Sequence, residues 1–238
     1  MAIKIPHRFI ERILPNSDTE FIDLVIIGTF NPGLPDLSIL NDIEKSEYLK
    51  IKSSEKFMKF NQVLNFYDRP QNRFWKIMDY LNHPDFYKNN DFLLRNKNGL
   101  KFYKGMNRDQ VFIRQLDFCK KNKILITDIV REIHPDSFQN IYNNFPDTRI
   151  EQADCTFNTK GLIKAIKTFN PDRIIINFNP KNNAIPKISG EINKIIKEYN
   201  GDCFIATSTS GAAGFEYEYL IEVWKEYFKK KPAAKRGL

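Results

Sequence analysis

The sequence predicts a three-layer α/β/α fold with a central four-stranded, mostly parallel sheet. Four short segments are apolar and β-branched, as buried parallel strands are, and amphipathic helical patterns lie between or after them. Chains in which strands alternate with helices commonly form a parallel sheet that is covered by helices on both faces. The predicted strands cover residues 23–27, 123–127, 172–177 and 202–207.

Four helices are predicted from apolar side chains that recur every three or four residues. They cover residues 72–81, 159–169, 185–199 and 215–228. The segment 37–62, which is rich in lysine and glutamate, is predicted to be a helical insertion. The segment 85–107 is rich in asparagine and lysine and is predicted to be an inserted loop or hairpin. No repeat or linker interrupts residues 1–238, so a single domain is expected.

Composition excludes several classes of protein. A hydrophobic fraction of 42% with 20 phenylalanines excludes an intrinsically disordered chain. No apolar run approaches the roughly 20 residues that a membrane-spanning helix needs. The three cysteines, Cys119, Cys155 and Cys203, lie far apart, which argues against a disulfide framework or a cysteine-ligated metal. We therefore expect a cytoplasmic protein without a metal or cofactor.

The positive charge is concentrated at the carboxyl end. The chain has a net charge of +8, and its last fourteen residues hold six basic side chains and one acidic one. A basic tail over residues 229–238 suggests a polyanionic partner, with Lys229, Lys230 and Lys231 as candidate phosphate contacts. From charge alone, a solvated and frayed terminus is the alternative.

Polar residues follow all four predicted strands, where ligands bind in open α/β sheets. The first strand runs into Gly-Thr-Phe-Asn-Pro-Gly at 28–33, and Asp128 follows the second. Asn177 ends the third, and Thr-Ser-Thr-Ser-Gly at 207–211 follows the fourth. The first of these loops lacks the spacing of a phosphate-binding glycine loop. The sequence therefore predicts a binding site at the carboxyl edge of the sheet.

The motifs at 28–33, Asn-Arg-Phe-Trp at 72–75 and Ser-Thr-Ser-Gly at 208–211 together resemble the uracil-DNA glycosylase superfamily. The resemblance is strongest to its mismatch-specific uracil/thymine and deoxyinosine (hypoxanthine) branches. It implies the fold of that superfamily and a monofunctional DNA glycosylase of base excision repair. Such an enzyme hydrolyses the N-glycosidic bond of a deaminated base, uracil or hypoxanthine, after flipping it out of the DNA. The resemblance also implies a monomer without a cofactor.

The resemblance implies that Asn31 is catalytic and orients the attacking water. An amide is a poor proton acceptor, which suits a dissociative reaction whose nucleophile needs little activation. From the residues alone, Asn31 could instead cap the turn before Pro32. Tyr67 corresponds to the aromatic that stacks on the flipped base, and its neighbour Phe66 could take that role. Phe30 is included among the base-binding candidates, although each ring could equally belong to the core.

Asp128 lies where the resemblance places the side chain that reads the base edge. A carboxylate only accepts hydrogen bonds, so it favours an edge that presents N–H donors and shifts the expectation towards hypoxanthine. An exposed aspartate at a strand end is the alternative. Asn177 could reach the base or sugar, or could form an Asx turn.

The resemblance implies that the last loop grips DNA phosphates. The histidine that classical uracil enzymes carry in that loop is missing here, since His7, His83 and His134 all lie elsewhere in the sequence. The wedge positions hold Ala212 and Gly214, so either Phe215 replaces the wedge or single-stranded and disrupted sites are preferred. The candidate DNA contacts outside the tail are Gly33, Asn72, Ser208, Thr209, Ser210 and Gly211.

Two other functions are compatible with the sequence. A non-catalytic nucleic-acid-binding protein of the same fold would explain the altered wedge and the missing histidine. A hydrolase of free nucleosides or nucleotides would have no use for the basic tail.

Overall fold

The computed structural model describes residues 3–14, 21–69, 72–85, 106–138, 141–142, 146–179, 181, 183–209 and 213–229. Nearly all of the predicted insertion 85–107 lies outside these residues. So do Ser210, Gly211, Ala212, Lys230 and Lys231. The side chains of residues 59, 60 and 229 are not described either.

The described strands, in chain order, are β1 (Ile5–Pro6), β2 (Leu24–Gly28), β3 (Ile124–Asp128), β4 (Val130–His134), β5 (Asp154–Phe157), β6 (Arg173–Ile176) and β7 (Asp202–Ile205). The described helices are α1 (Ile10–Ile13), α2 (Asp42–Lys52), α3 (Glu55–Asn61), α4 (Phe74–Asn82), α5 (Arg108–Lys121), α6 (Asp147–Gln152), α7 (Thr159–Phe169), α8 (Pro186–Lys197) and α9 (Tyr217–Lys229).

The central sheet has four strands in the order β3-β2-β6-β7, and all neighbours are parallel. All five residues of β2 are buried, as expected of a strand with helices on both faces. The predicted strands and the predicted α/β/α class are therefore confirmed. The register pairs Gly28 with Asp128, so the ends of β2 and β3 lie side by side.

Two hydrophobic clusters cover the two faces of this sheet. One joins Val25 and Ile27 of β2 to apolar residues of α7 and α8. The other joins Leu24 and Ile26 to apolar residues of α4 and α9, including Trp224, which is fully buried. Because side chains alternate along a strand, position 28 faces the same side as Leu24 and Ile26. The end of β2 therefore faces the layer that contains α4 and α9.

The predicted helices form with small changes at their ends. Helix α7 has the predicted bounds, while α4 begins at Phe74 and α9 begins at Tyr217. The segment 37–62 contains α2 and α3, as predicted. Helix α5 was not predicted, and its Asn107 and Gln110 form a capping box. Within the part of the chain that the structure describes, no helix is long and apolar enough to cross a membrane.

A second, antiparallel sheet was not predicted. Its three strands are ordered β1-β4-β5. Strand β1 has only two residues, and β4 starts one residue after β3, so neither stands out as an apolar run. This sheet positions the start of the chain: His7 N–H donates to the Arg131 carbonyl at 2.6 Å, and Arg8 N–H donates to the Asn31 carbonyl at 2.7 Å. The loop after β2 is thereby joined to the N-terminal segment.

Candidate functional site

Asp128 is the centre of a buried hydrogen-bond network. Its Oδ2 accepts hydrogen bonds from His7 Nε2 and from Asn31 Nδ2, each at 2.7 Å. His7 Nδ1 accepts the Phe9 backbone N–H at 3.0 Å, so the imidazole proton lies on Nε2. Asp128 is 1% exposed and His7 is 2% exposed. Asp128 is therefore a buried, partnered carboxylate and not an exposed aspartate at a strand end.

His7 lies outside the last loop, as expected, but it belongs to the site around Asp128, where no role was predicted for it. The pairing of β1 with β4 brings His7 next to Asp128, although the two are 121 residues apart in the sequence. The rings of Phe30 and Phe66 both lie 5.6 Å from the imidazole, between ring centroids, and both are buried. Phe30 and Phe66 thus pack against His7, and their predicted role in binding a base stays a prediction.

Two buried oxygens face the same space above Gly28. A Cβ atom placed on Gly28 would lie 2.4 Å from Asp128 Oδ1 and 2.6 Å from the Tyr67 hydroxyl oxygen. Neither oxygen has a hydrogen-bond partner within the described residues. A side chain at position 28 would fill the space, which glycine leaves open. The last residue of β2 is therefore part of the site.

A third unpartnered oxygen, Asn177 Oδ1, is buried at the end of β6. The Asn177 backbone N–H donates to the Ile27 carbonyl at 2.8 Å, so Asn177 lies beside the last residues of β2. A buried polar atom without a partner costs about 1–3 kcal/mol, and native proteins retain few of them. Three such atoms at neighbouring strand ends indicate a surface that a polar ligand completes.

Tyr67 is held in an unusual conformation. Its φ of 58° is left-handed, which is uncommon for a residue other than glycine and is concentrated at functional sites. Its ring packs on Phe74 at 4.6 Å between centroids, and Trp75 Nε1 donates to the Phe66 carbonyl at 2.7 Å. Burial raises the pKa of Tyr67, the charge of Asp128 raises it further, and an interaction with Asn177 works against the rise. The hydroxyl therefore keeps its proton and is a hydrogen-bond donor.

The Asn-Arg-Phe-Trp motif at 72–75 is hydrogen-bonded to the segment that follows β7. Asn72 Oδ1 accepts hydrogen bonds from the Phe74 N–H and from Thr209 Oγ1, each at 2.9 Å. Arg73 N–H donates to the Thr209 carbonyl at 2.9 Å, and its guanidinium lies over the Tyr217 ring. Thr209 is 1% exposed. Asn72 and Thr209 thus join α4 to the segment after β7, which uses the groups that were predicted to contact DNA.

Gly33 is also occupied within the protein. Its N–H donates to the Pro6 carbonyl at 2.8 Å, and its carbonyl accepts the Tyr142 hydroxyl at 3.1 Å. A Cβ there would lie 2.7 Å from the Pro6 carbonyl oxygen, so glycine allows the close approach of the two segments. Of the other predicted DNA contacts, Ser208 is partly exposed after β7, and Lys229 ends α9.

Two charged side chains near the site were missed by the sequence analysis. Asp147, the first residue of α6, accepts a hydrogen bond from Thr29 Oγ1 at 2.7 Å. Burial raises the pKa of Asp147 and the charge of Asp128 adds to the rise, while the Thr29 hydrogen bond opposes it. Arg69 lies close enough for Asp128 to raise its pKa, although burial lowers the pKa more. No local motif marks either residue, because each meets the site through tertiary packing.

We expect Asp147→Asn to change how stability depends on pH. Because the pKa of Asp147 is raised in the fold, the folded protein binds this proton more tightly than the unfolded chain does. The stabilisation is complete below the ordinary value of 3.8 and is lost as the pH rises through the raised pKa. Asparagine keeps an acceptor for Thr29 without the charge. The stability of the variant relative to the wild type should therefore increase between pH 3 and pH 7, as measured by urea unfolding.

Asp36→Asn is the control for this experiment. Hydrogen bonds from Ser38 lower the pKa of Asp36, so the wild type gains from this carboxylate as the pH rises. The two variants should therefore show opposite trends. A stability difference between Asp147→Asn and the wild type that is the same at every pH would contradict the buried position of Asp147.

The structure brings together Asn31, Tyr67, Asp128 and Asn177 of the predicted site residues. Comparison with protein-family models finds no match to this chain, and comparison with curated proteins finds none either. The carboxyl edge of the sheet is therefore the part of the molecule whose geometry bears on function.

Proposed function

We propose that this protein is a DNA glycosylase that hydrolyses the N-glycosidic bond of a deaminated base, uracil or hypoxanthine. One observation carries the proposal: the unpartnered oxygens of Asp128 and Tyr67 lie next to Gly28, and that of Asn177 is buried at the end of the neighbouring strand β6. A pocket for a flipped base needs polar groups of this kind to bind the base edge. The proposal also agrees with the motifs by which the sequence resembles the uracil-DNA glycosylase superfamily.

Asn31 is the candidate that orients water. Its Nδ2 donates to Asp128 Oδ2, so the orientation of the amide is fixed. Because Nδ2 is the atom bound to Asp128, Oδ1 is the atom of the amide that can accept a hydrogen bond from a water molecule. A weak acceptor suffices if the bond to the base is largely broken before water attacks, as in an oxocarbenium-like transition state. Asn31 then contributes by position and not by removing a proton early.

Asp128 is the candidate that selects the base. His7 and Asn31 occupy its Oδ2, so Oδ1 is the oxygen that remains for a ligand. Uracil and hypoxanthine present a ring N–H on the edge used for base pairing, whereas cytosine and adenine present an unprotonated nitrogen there. A carboxylate oxygen accepts from the first pair and repels the second. The site therefore favours uracil and hypoxanthine over cytosine and adenine, the two bases from which deamination produces them.

DNA binding would draw on the positive charge of the chain. The net charge of +8 and the basic residues at Lys229, Lys230 and Lys231 favour contact with phosphates, which raises affinity and its salt dependence without selecting a base. Phe215, at 39% exposed, precedes α9 and packs on Tyr219, and Arg73 donates to its carbonyl. Phe215 is therefore the candidate for the wedge, the side chain that inserts between bases of the duplex, because Ala212 and Gly214 are too small for that role.

The test is excision from oligonucleotides that each contain a single uracil, hypoxanthine, xanthine or mismatched thymine. We expect the wild type to leave abasic sites at uracil or hypoxanthine. Asn31→Ala should lower the single-turnover rate by about 10²–10³-fold, which is typical of losing one preorganised polar group. Asn179→Ala is the matched control, because among the described residues the exposed Asn179 side chain accepts the Lys181 N–H in an Asx turn.

Two results would overturn the proposal. Binding of every oligonucleotide without any abasic product would favour a non-catalytic nucleic-acid-binding protein. Cleavage of free nucleosides in place of oligonucleotides would favour a nucleoside hydrolase. Undiminished excision by Asn31→Ala would instead remove only the role given to Asn31.

A further inference from the structure

The Tyr67 hydroxyl and Asp128 Oδ1 have opposite hydrogen-bonding character at one place. Both lie within 2.6 Å of the position that a Gly28 Cβ would take, and neither meets the geometry of a hydrogen bond to a described residue. The polar side chain near the Tyr67 oxygen is Asn177, whose amide acts on the pKa of Tyr67 as a donor and so leaves the hydroxyl proton free. The proton-bearing groups of His7 and Asn31 are bound to Asp128 Oδ2, so Oδ1 is the oxygen left for a ligand, and in the ionised carboxylate it is an acceptor. The hydroxyl, whose pKa is raised by burial, supplies a donor. A donor and an acceptor thus stand side by side without partners.

We propose that the Tyr67 hydroxyl is a specificity-determining donor that binds the carbonyl oxygen next to the ring N–H accepted by Asp128. The inference rests on the proposed glycosylase function. In uracil and hypoxanthine the ring N–H and a carbonyl group are neighbours, so the edge presents a donor beside an acceptor. Cytosine and adenine present the reverse order. The pair Tyr67–Asp128 therefore recognises the amide-like edge that deamination creates in both a pyrimidine and a purine.

This role differs from the stacking role predicted for Tyr67. One face of the ring is taken by Phe74, and the left-handed backbone with the Trp75 hydrogen bond keeps the turn in place. Left-handed backbone in a residue with a side chain is unfavourable and persists only where the surroundings enforce it. In this conformation the Tyr67 hydroxyl lies over Gly28. The end of the side chain, more than its ring, is then the part that selects the base.

The experiment compares Tyr67→Phe with the wild type on two substrates. One oligonucleotide carries the base that the wild type excises. The other carries its thio analogue, in which sulfur replaces O4 of uracil or O6 of hypoxanthine, the oxygen next to the ring N–H. Sulfur is a weak acceptor, so only an enzyme that donates to this position senses the change. We expect the ratio of kcat/KM for the oxo base to that for the thio base to be about tenfold higher in the wild type than in Tyr67→Phe. A comparison of ratios cancels the easier departure of the thio base.

Tyr199→Phe is the matched control. Its hydroxyl is buried and donates to the Pro171 carbonyl at 2.9 Å, where the chain enters β6 at the opposite end of the sheet. This variant should keep the wild-type ratio. A purely structural role of Tyr67 would lower both rates together and leave the ratio unchanged, which would overturn the inference while the proposed function stood. A wild type that excises no base would overturn the proposed function and this inference with it.

A measurement on the wild type keeps the inference testable if Tyr67→Phe does not fold. Free uracil or hypoxanthine should inhibit excision about ten times more strongly than the corresponding free thio base. Equal inhibition by the oxo and thio bases would show that no donor binds this oxygen and would also overturn the inference.

Discussion

Replacing Asp128 with asparagine is expected to lower kcat/KM for base excision by about a thousandfold while the protein keeps its fold. His7 Nε2 and Asn31 Nδ2 both donate to Asp128 Oδ2, so the side-chain oxygen of asparagine is held at that position. The new amino group must then take the place of Oδ1 above Gly28. A donor would face the ring N–H of the base, and sites that present the wrong partner to a buried polar group lose several orders of magnitude in discrimination.

The same geometry predicts a change in preference. An amino group above Gly28 suits the unprotonated ring nitrogen of cytosine or adenine, and the Tyr67 hydroxyl can rotate to accept. The ratio of cytosine to uracil excision should therefore rise in Asp128→Asn, even though both rates are low. Asp154→Asn is the control, because Asp154 is exposed on β5. If uracil or hypoxanthine excision stays within about threefold of the wild type, Asp128 does not bind the base.

The parallel sheet and the edge where the site lies were predictable because their signals are local. A strand that is buried on both faces must be apolar along its length, and β2, β3, β6 and β7 each show such a run. Parallel strands end at the same edge, so Asn31, Asp128 and Asn177 were expected to be neighbours without any knowledge of distances. The site residues whose positions follow from the ends of the parallel strands could therefore be predicted from the sequence.

The partners of Asp128 were not predictable because they depend on contacts between distant segments. His7 is 121 residues from Asp128, and Thr29 is 118 residues from Asp147. The sheet that places His7 includes a strand of two residues, which has no periodicity to detect. The direction of the Tyr67 hydroxyl depends on a left-handed φ and on packing against Phe74, and neither is encoded in a short motif. The sequence shows only a single histidine near the start of the chain, and a lone histidine does not indicate a particular partner.

His7→Ala is expected to destabilise the fold by about 3–5 kcal/mol, because it removes one hydrogen-bond donor of a buried carboxylate and truncates a buried ring. Asp128 would keep only Asn31 on Oδ2, and the Phe9 N–H would lose its acceptor. The variant would also leave a cavity beside the rings of Phe30 and Phe66. The measurement is the free energy of unfolding in urea at neutral pH.

His134→Ala is the control, since His134 Nε2 lies 2.9 Å from Glu132 Oε1 on a partly exposed surface and such a pair contributes about 0–1 kcal/mol. The double variant His7→Ala/Asp128→Ala distinguishes a lost partner from lost packing. If the cost of His7→Ala comes mainly from the carboxylate that it leaves behind, the double variant should be less destabilised than the sum of the two single variants. Additive costs would mean that His7 stabilises the fold by filling space between Phe30 and Phe66. Asn31 alone would then hold the carboxylate that faces the base.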